Sequence, residues 1–172
     1  IISVYMGMGI ETVPLTMGES GIVSSELMEK EFDLLHVTPF HSWPTGITAG
    51  ASKRREYVSW AEQRGGYLVE DDFESEFSVS SKPEDTLFAL SDGDNVIYLN
   101  TFSKTISPSL RIGYMVLPKH LVEVYDDKLG FYSCTVPTFM QYVLTELIDN
   151  GDFERHINRI RRKMRKQLSS QE

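Results

Sequence analysis

Sulfhydryl chemistry is nearly absent from this sequence: Cys134 is its one cysteine, which excludes an internal disulfide. No base neighbours Cys134 in sequence, so it reads as a buried or inert thiol and not as a nucleophile. Long apolar runs are missing too, none approaching the ~20 residues that a membrane-spanning helix needs. Positive charge is scarce, with 17 Lys and Arg against 25 Asp and Glu, a formal net charge of −8 and a pI near 5.0. Nucleic-acid surfaces are basic, so this balance excludes one spread over the whole chain. His36, His41, His120 and His156 show no metal-ligand spacing, and no metal is expected. The opening residues carry no secretory pattern and the last ones form a charged helix-like run, so the sequence reads as a piece of a longer chain. These absences describe a soluble, cytoplasmic protein of a reducing compartment, and a 41% hydrophobic composition is enough for one sizeable core.

What is present is organised around Val96 to Gly113, VIYLNTFSKTISPSLRIG. Val96, Ile97, Tyr98 and Leu99 favour a buried strand, and Ser103, Thr105, Ser107 and Pro108 then favour a loop. Lys104 is therefore expected in a loop at a strand's carboxyl end, the edge where open α/β sheets bind ligands. A lysine flanked by hydroxyls and followed by an arginine suits a phosphorylated carbonyl compound. The amine of Lys104 would form a Schiff base with an aldehyde, and Thr101, Ser103 and Arg111 would hold a phosphate through hydroxyls and a forked guanidinium. Taken alone, the same turn also fits a solvated surface lysine.

The rest of the chain alternates in the same style. A short strand is expected at Ile10 to Leu15, a brief helix near Ser24 to Lys30, and a buried strand at Asp33 to Thr38, ended by Pro39 and the turn-rich HSWPTG. Ala51 to Arg64 has amphipathic spacing, with Ser52 as its N-cap and Gly65 and Gly66 closing it. Tyr67 to Val69 is a further strand, ending in Glu70, Asp71 and Asp72. Strand, helix, strand with polar strand ends is the signature of a doubly wound α/β unit. The stretch from Phe73 to Asn95 is polar and loop-rich, with a short helix or turn near Thr86 to Leu90, and Ile112 to Leu117 adds a strand. Pro118 and Pro137 open helices. The final segment places Ile157, Ile160 and Met164 in one stripe, surrounded by Arg155, Arg159, Arg161, Arg162, Lys163, Arg165 and Lys166. Those seven basic residues leave ten for the rest of the chain against its 25 acids, so the helix is expected to be charge-paired.

One of Asp71 and Asp72 is expected to face the lysine pocket, where an anion at a pyridine nitrogen keeps the ring protonated and electron-accepting. Alternatives are a helix-capping carboxylate or, for the run Asp71, Asp72, Glu74 and Glu76, a hard-cation site.

HSWPTG, LVEDDFESEF, VIYLNTFSKT, SPSLRIGYMVLP and the tail FMQYVLTELIDNGDFERHINRIRRKMRK together resemble the aminotransferase-like domain of the MocR subgroup of GntR-type bacterial transcription regulators. The resemblance spans nearly the whole chain in the family's order. It implies a three-layer αβα, fold type I, pyridoxal-phosphate-dependent transferase-like large domain, present in part. Residues 1–152 would be its core and 153–172 the start of a helix leading to a small domain. In the full protein a winged-helix DNA-binding domain, outside this sequence, would precede it. By position, Lys104 matches the Schiff-base lysine, Asp71 the partner of the pyridine nitrogen, Arg111 the phosphate-binding arginine, and Thr101 and Ser103 hydroxyls near the phosphate. Phe73 departs from the family tyrosine whose hydroxyl bonds to the cofactor's phenolic oxygen. Trp43 stands where aminotransferases usually carry asparagine. The implied function is an effector domain that senses an amino compound or pyridoxal phosphate as a homodimer, reaching DNA only through the other domain; the alternative is an aminotransferase.

Overall fold

Alternation along three strands decides the layers. In the computed structural model, which describes residues 1–80, 84–92 and 94–170, a four-stranded sheet forms from β3 (Leu34–Val37), β4 (Tyr67–Asp72), β5 (Val96–Thr101) and β6 (Gly113–Val116), in that spatial order. Ahead of them come α1 (Ile2–Gly7), the two-residue strands β1 (Met17–Gly18) and β2 (Gly21–Ile22), and α2 (Ser24–Glu29). Between the strands lie α3 (Ala51–Arg64), α4 (Leu87–Leu90) and the single turn α5 (Phe102–Thr105). The chain continues through α6 (Lys119–Leu129), α7 (Thr138–Asp149) and α8 (Asp152–Leu168).

Leu35, Val37, Leu68 and Val96 share one sheet face and join Leu27, Tyr57, Val58, Trp60, Ala61 and Leu87 in a single buried cluster. The period of two that sends these side chains toward α2, α3 and α4 sends their neighbours the other way. On that second face the Tyr5 hydroxyl of α1 meets His36, and the Tyr67 hydroxyl meets His120 of α6, each at 2.8 Å. Helices on both faces of a largely parallel sheet make this a partial αβα sandwich.

Pairing is parallel for β3 with β4 and β4 with β5, but β6 returns antiparallel to β5. The connection from Phe102 to Ile112 is too short for the crossover that a parallel return requires. Other expectations are corrected by local chemistry. Ile10 to Leu15 forms no strand, and Pro14 removes one ladder donor from it; the β1–β2 pair follows instead. The N-cap of α3 is Gly50, not Ser52, and Pro118 and Pro137 occupy the cap positions of α6 and α7. Gly65 closes α3 in the left-handed conformation at φ 64°, as its sequence position implies. Cys134 is exposed, not buried. The polar stretch before β5 includes 81–83 and 93, and the tail includes 171–172, all outside the described residues.

Candidate functional site at the sheet's carboxyl edge

β4 and β5 run parallel with Asp71 opposite Leu99 and Asp72 opposite Asn100, so both strands deliver their ends to one edge. The two aspartates leave β4 on opposite faces. Asp72 is 3% exposed and fully engaged: its Oδ1 accepts from the Ser75 amide at 3.1 Å, and its Oδ2 from the Ser75 and Tyr98 hydroxyls at 2.5 and 3.0 Å. Glu70, on the same face, is buried with its oxygens accepting the Leu87 and Phe88 amides at 2.9 and 3.0 Å, beside Arg54. These two carboxylates cap turns. Burial pushes Glu70 up from the usual carboxylate range despite those amide donors.

Asp71 lies on the other face, its side chain 32% exposed, with His36 Nε2 at 3.4 Å. His36 donates from Nε2 and therefore accepts at Nδ1, where the Tyr5 hydroxyl sits at 2.8 Å. A line of Tyr5, His36 and Asp71 thus backs the carboxylate, and burial together with the Asp71 charge raises the Tyr5 hydroxyl above its ordinary value. Sequence reasoning passed over His36 and Tyr5. The signal for His36 was its place as the polar alternate of the buried run DLLHVT, which puts it on the face opposite Leu35 and Val37.

Lys104 sits on α5, a helical turn where a loop was expected. The turn closes because the Thr101 hydroxyl accepts the Ser103 amide at 3.1 Å, as an N-cap does, while donating to the Ile112 carbonyl at 3.0 Å. The Lys104 side chain is 58% exposed, with Nζ 4.0 Å from Glu74 and 5.8 Å from the centre of the Phe73 ring. Glu74 is held in turn by His41 Nδ1 at 3.0 Å. Lys104 has no hydrogen-bonded partner among the described residues; its amine is held only by the long ion pair with Glu74 and the face of Phe73. Ser103 and Arg111 likewise make no side-chain hydrogen bond or ion pair among the described residues, and Arg111 stands in the left-handed region at φ 51°. Trp43, in the HSWPTG turn, is 86% exposed. The structure therefore brings Lys104, Phe73, Glu74 and His41 together. It places Asp71 at the adjacent strand end, and it spends the Thr101 hydroxyl proton on its own loop.

The donor set suits a pyridoxal phosphate: one carboxylate backed by a histidine, one amine without a hydrogen bond, and a free hydroxyl and guanidinium from the same strand-to-strand connection. Comparison with known proteins agrees. The model of the family "Aminotransferase class I and II" matches residues 24–171.

The chain belongs to the aminotransferase class I and II family.

Within this aminotransferase family its relatives include transcription regulators. The chain is 36% identical over 154 residues to the HTH-type transcriptional regulator YdeL of Bacillus subtilis, covering 90% of this chain and 33% of that protein. It is 30% identical to the probable rhizopine catabolism regulatory protein MocR of Rhizobium meliloti, covering 90% and 31%. Among solved structures, the kynurenine aminotransferase of Pyrococcus horikoshii in complex with PMP matches with a TM-score of 0.78 and 29% identity, covering 87% of this chain and 39% of that one. The chain thus spans about a third of the length of the curated relatives it matches. The fold is that of type I pyridoxal-phosphate enzymes, and pyridoxal phosphate is the cofactor to which family and fold point.

Proposed function

We propose that this chain is the core of a pyridoxal-phosphate-binding effector domain in a cytoplasmic, homodimeric transcription regulator of the MocR type. Residues 1–152 form the cofactor-binding core and 153–172 begin the helix toward a small domain, with DNA bound through a separate winged-helix domain. The observation that carries this reading is that Asp71 near the end of β4 and Lys104 on the turn after the parallel neighbour β5 share one edge of the sheet, the carboxylate held by His36 and the amine without a hydrogen bond. The regulators among its relatives favour a sensor over an enzyme.

Bound there, the cofactor supplies an aldehyde and an electron-accepting ring. Lys104 provides the amine that holds the aldehyde carbon. Asp71 would offer a negative charge to the ring nitrogen, and His36, fixed by Tyr5, keeps the carboxylate oriented. Arg111 and Ser103 offer a guanidinium and a hydroxyl to the phosphate, while Thr101 shapes the turn that presents them. Phe73 offers a ring face and no proton, so the phenolic oxygen loses the donor that a tyrosine would give. A regulatory amino compound would bind at the same edge, and it would shift the domain only as far as its affinities for the two states differ.

Mixing this chain with pyridoxal phosphate, reducing with borohydride and mapping the adduct by mass tests the assignment. The adduct is expected on Lys104 and absent from Lys104→Ala; Asp71→Asn weakens cofactor retention strongly, whereas Asp72→Asn acts through stability. An adduct distributed over surface lysines, or unchanged in Lys104→Ala, would remove the assignment.

A further inference from the structure

α8 carries a row of cations that acids of the rest of the chain leave unpaired: among the described residues the row's arginines reach partners only within residues 150–158, Arg155 the Asp152 carboxylate and the Asn150 carbonyl, Arg159 the His156 ring and Arg162 the Asn158 carbonyl. Arg155, Arg159, Arg162, Lys163 and Lys166 recur at helical spacing and fall within roughly a 100° arc at ~100° per residue. They extend over about 16 Å at ~1.5 Å per residue. With Asp152 and His156 they line a shallow concavity of about 700 Å³. Charge pairing, the sequence-based expectation for this helix, is not what the structure shows. Among the described residues the row's one ion pair is Arg155 with Asp152 at 2.8 Å, within the helix itself. The basic residues of α8 that turn inward are different ones: Arg161 and Arg165 donate to the backbone carbonyls of Glu76 and Val79 at 2.5 and 3.2 Å. Arg159 donates to His156 Nδ1 at 3.1 Å, and His156 Nε2 donates to the Thr105 carbonyl at 3.0 Å, which fixes the start of the row against α5.

We infer that this face of α8 is a second, sequence-independent contact to duplex nucleic acid, made through the phosphate backbone. The occupant follows from composition. No apolar side chain lines the concavity, whereas protein interfaces centre on apolar and aromatic groups and are poor in lysine. Three of the five cations are arginines, whose fork binds phosphate oxygens in pairs. Duplex DNA presents one charge per ~1.7 Å of axis with both strands counted, so a row of this length lies within reach of several phosphates. The chain's net charge of −8 confines the contact to this face and repels the duplex elsewhere, which sets an orientation. The inference rests on the regulator reading for the presence of DNA, and on nothing at the cofactor site.

The test is fluorescence anisotropy of this chain with a labelled duplex of arbitrary sequence across a salt series. It compares the parent with the fourfold variant Arg159→Gln, Arg162→Gln, Lys163→Gln, Lys166→Gln, and with a control, Arg55→Gln, Lys119→Gln, Lys128→Gln. The parent is expected to bind at low salt with a steep salt dependence. The fourfold variant should lower the log–log slope by about 3 to 4, near ~0.9 per lost phosphate contact, and weaken low-salt binding tenfold or more, with the control unchanged. A circular dichroism spectrum matching the parent certifies the variant's fold. Absence of parent binding at low salt, an equal slope in the variant, or an equal loss in the control overturns the proposal. So does tighter, row-dependent binding of poly-glutamate, which would assign the face to an acidic protein. Cofactor adduct formation on Lys104 is read separately, so its failure and the failure of DNA binding are distinguishable.

Discussion

Glu76 shows how one buried oxygen becomes a pH response. Its Oε1 accepts from Asn100 Nδ2 at 2.8 Å, while Oε2 is buried without a partner among the described residues. Burial raises its pKa above the ordinary value of about 4.3, and the nearby Asp72 charge adds to the effect. A carboxyl raised on folding binds more protons native than unfolded, so it favours the fold below its unfolded pKa. That contribution is lost as pH rises through the folded pKa. Glu76→Gln keeps the Asn100 contact and removes the charge. Thermal melts from about pH 4 to about pH 8 are therefore expected to show a smaller relative loss for the variant than for the parent. Equal slopes for the two proteins would show that Glu76 does not set the response. The same scale defines what the sequence revealed of the site. Lys104 and Asp71 were legible as strand-end residues of the right chemistry. Strand-end chemistry alone left Asp71 and Asp72 open and only the resemblance singled out Asp71; in the fold the two leave β4 on opposite faces, and Ser75 and Tyr98 saturate Asp72.

At the scale of elements, β6 is the piece whose direction sequence did not disclose. Its apolar run reads the same parallel or antiparallel, and only the brevity of the Phe102 to Ile112 connection decides. Where β6 begins, Gly113 lies opposite Thr101, and a Cβ there would stand 2.9 Å from the Asn100 carbonyl oxygen, part of the strand backbone and unable to give way cheaply. Gly113→Ala is accordingly expected to cost about 1–3 kcal/mol by overpacking. Chemical denaturation should register this as a lower midpoint with an unchanged slope, and an undiminished midpoint would mean that the β5–β6 spacing is adjustable. α3 was legible in its extent because its spacing and Gly65 agree, although its N-cap is Gly50 and not Ser52. The pairing of α8 was not, since a count of acids in the whole chain says nothing about where they stand.

For the whole molecule, burial is lopsided. The cluster around Trp60, Tyr57 and Leu68 draws on α2, α3, α4 and the sheet, whereas the link after α6 leaves Phe131 and Tyr132 open, α7 leaves Phe139 and Tyr142 open, and Leu144 is the one buried residue of α7. The alternation of strands and helices, which fixes the sheet and its carboxyl edge, was readable from the sequence because each strand carries its own apolar period. The described chain supplies nothing to cover these exposed aromatics.

The link between Lys104 and Arg111 carries a further consequence. The Phe102 amide and the Thr101 hydroxyl both reach the Ile112 carbonyl, at 2.9 and 3.0 Å, and the Ile106 and Ser107 amides both return to the Phe102 carbonyl. Two cations seven positions apart are thereby suspended from one clasp at the root of a short excursion. Opening that clasp frees every amide above it at once, so deuterium should enter Phe102, Ile106 and Ser107 at a common rate, slower than exposure alone would allow. Thr101→Val, which removes one strand of the clasp, should speed all three together. Independent rates for the three amides would show instead that the excursion frays residue by residue.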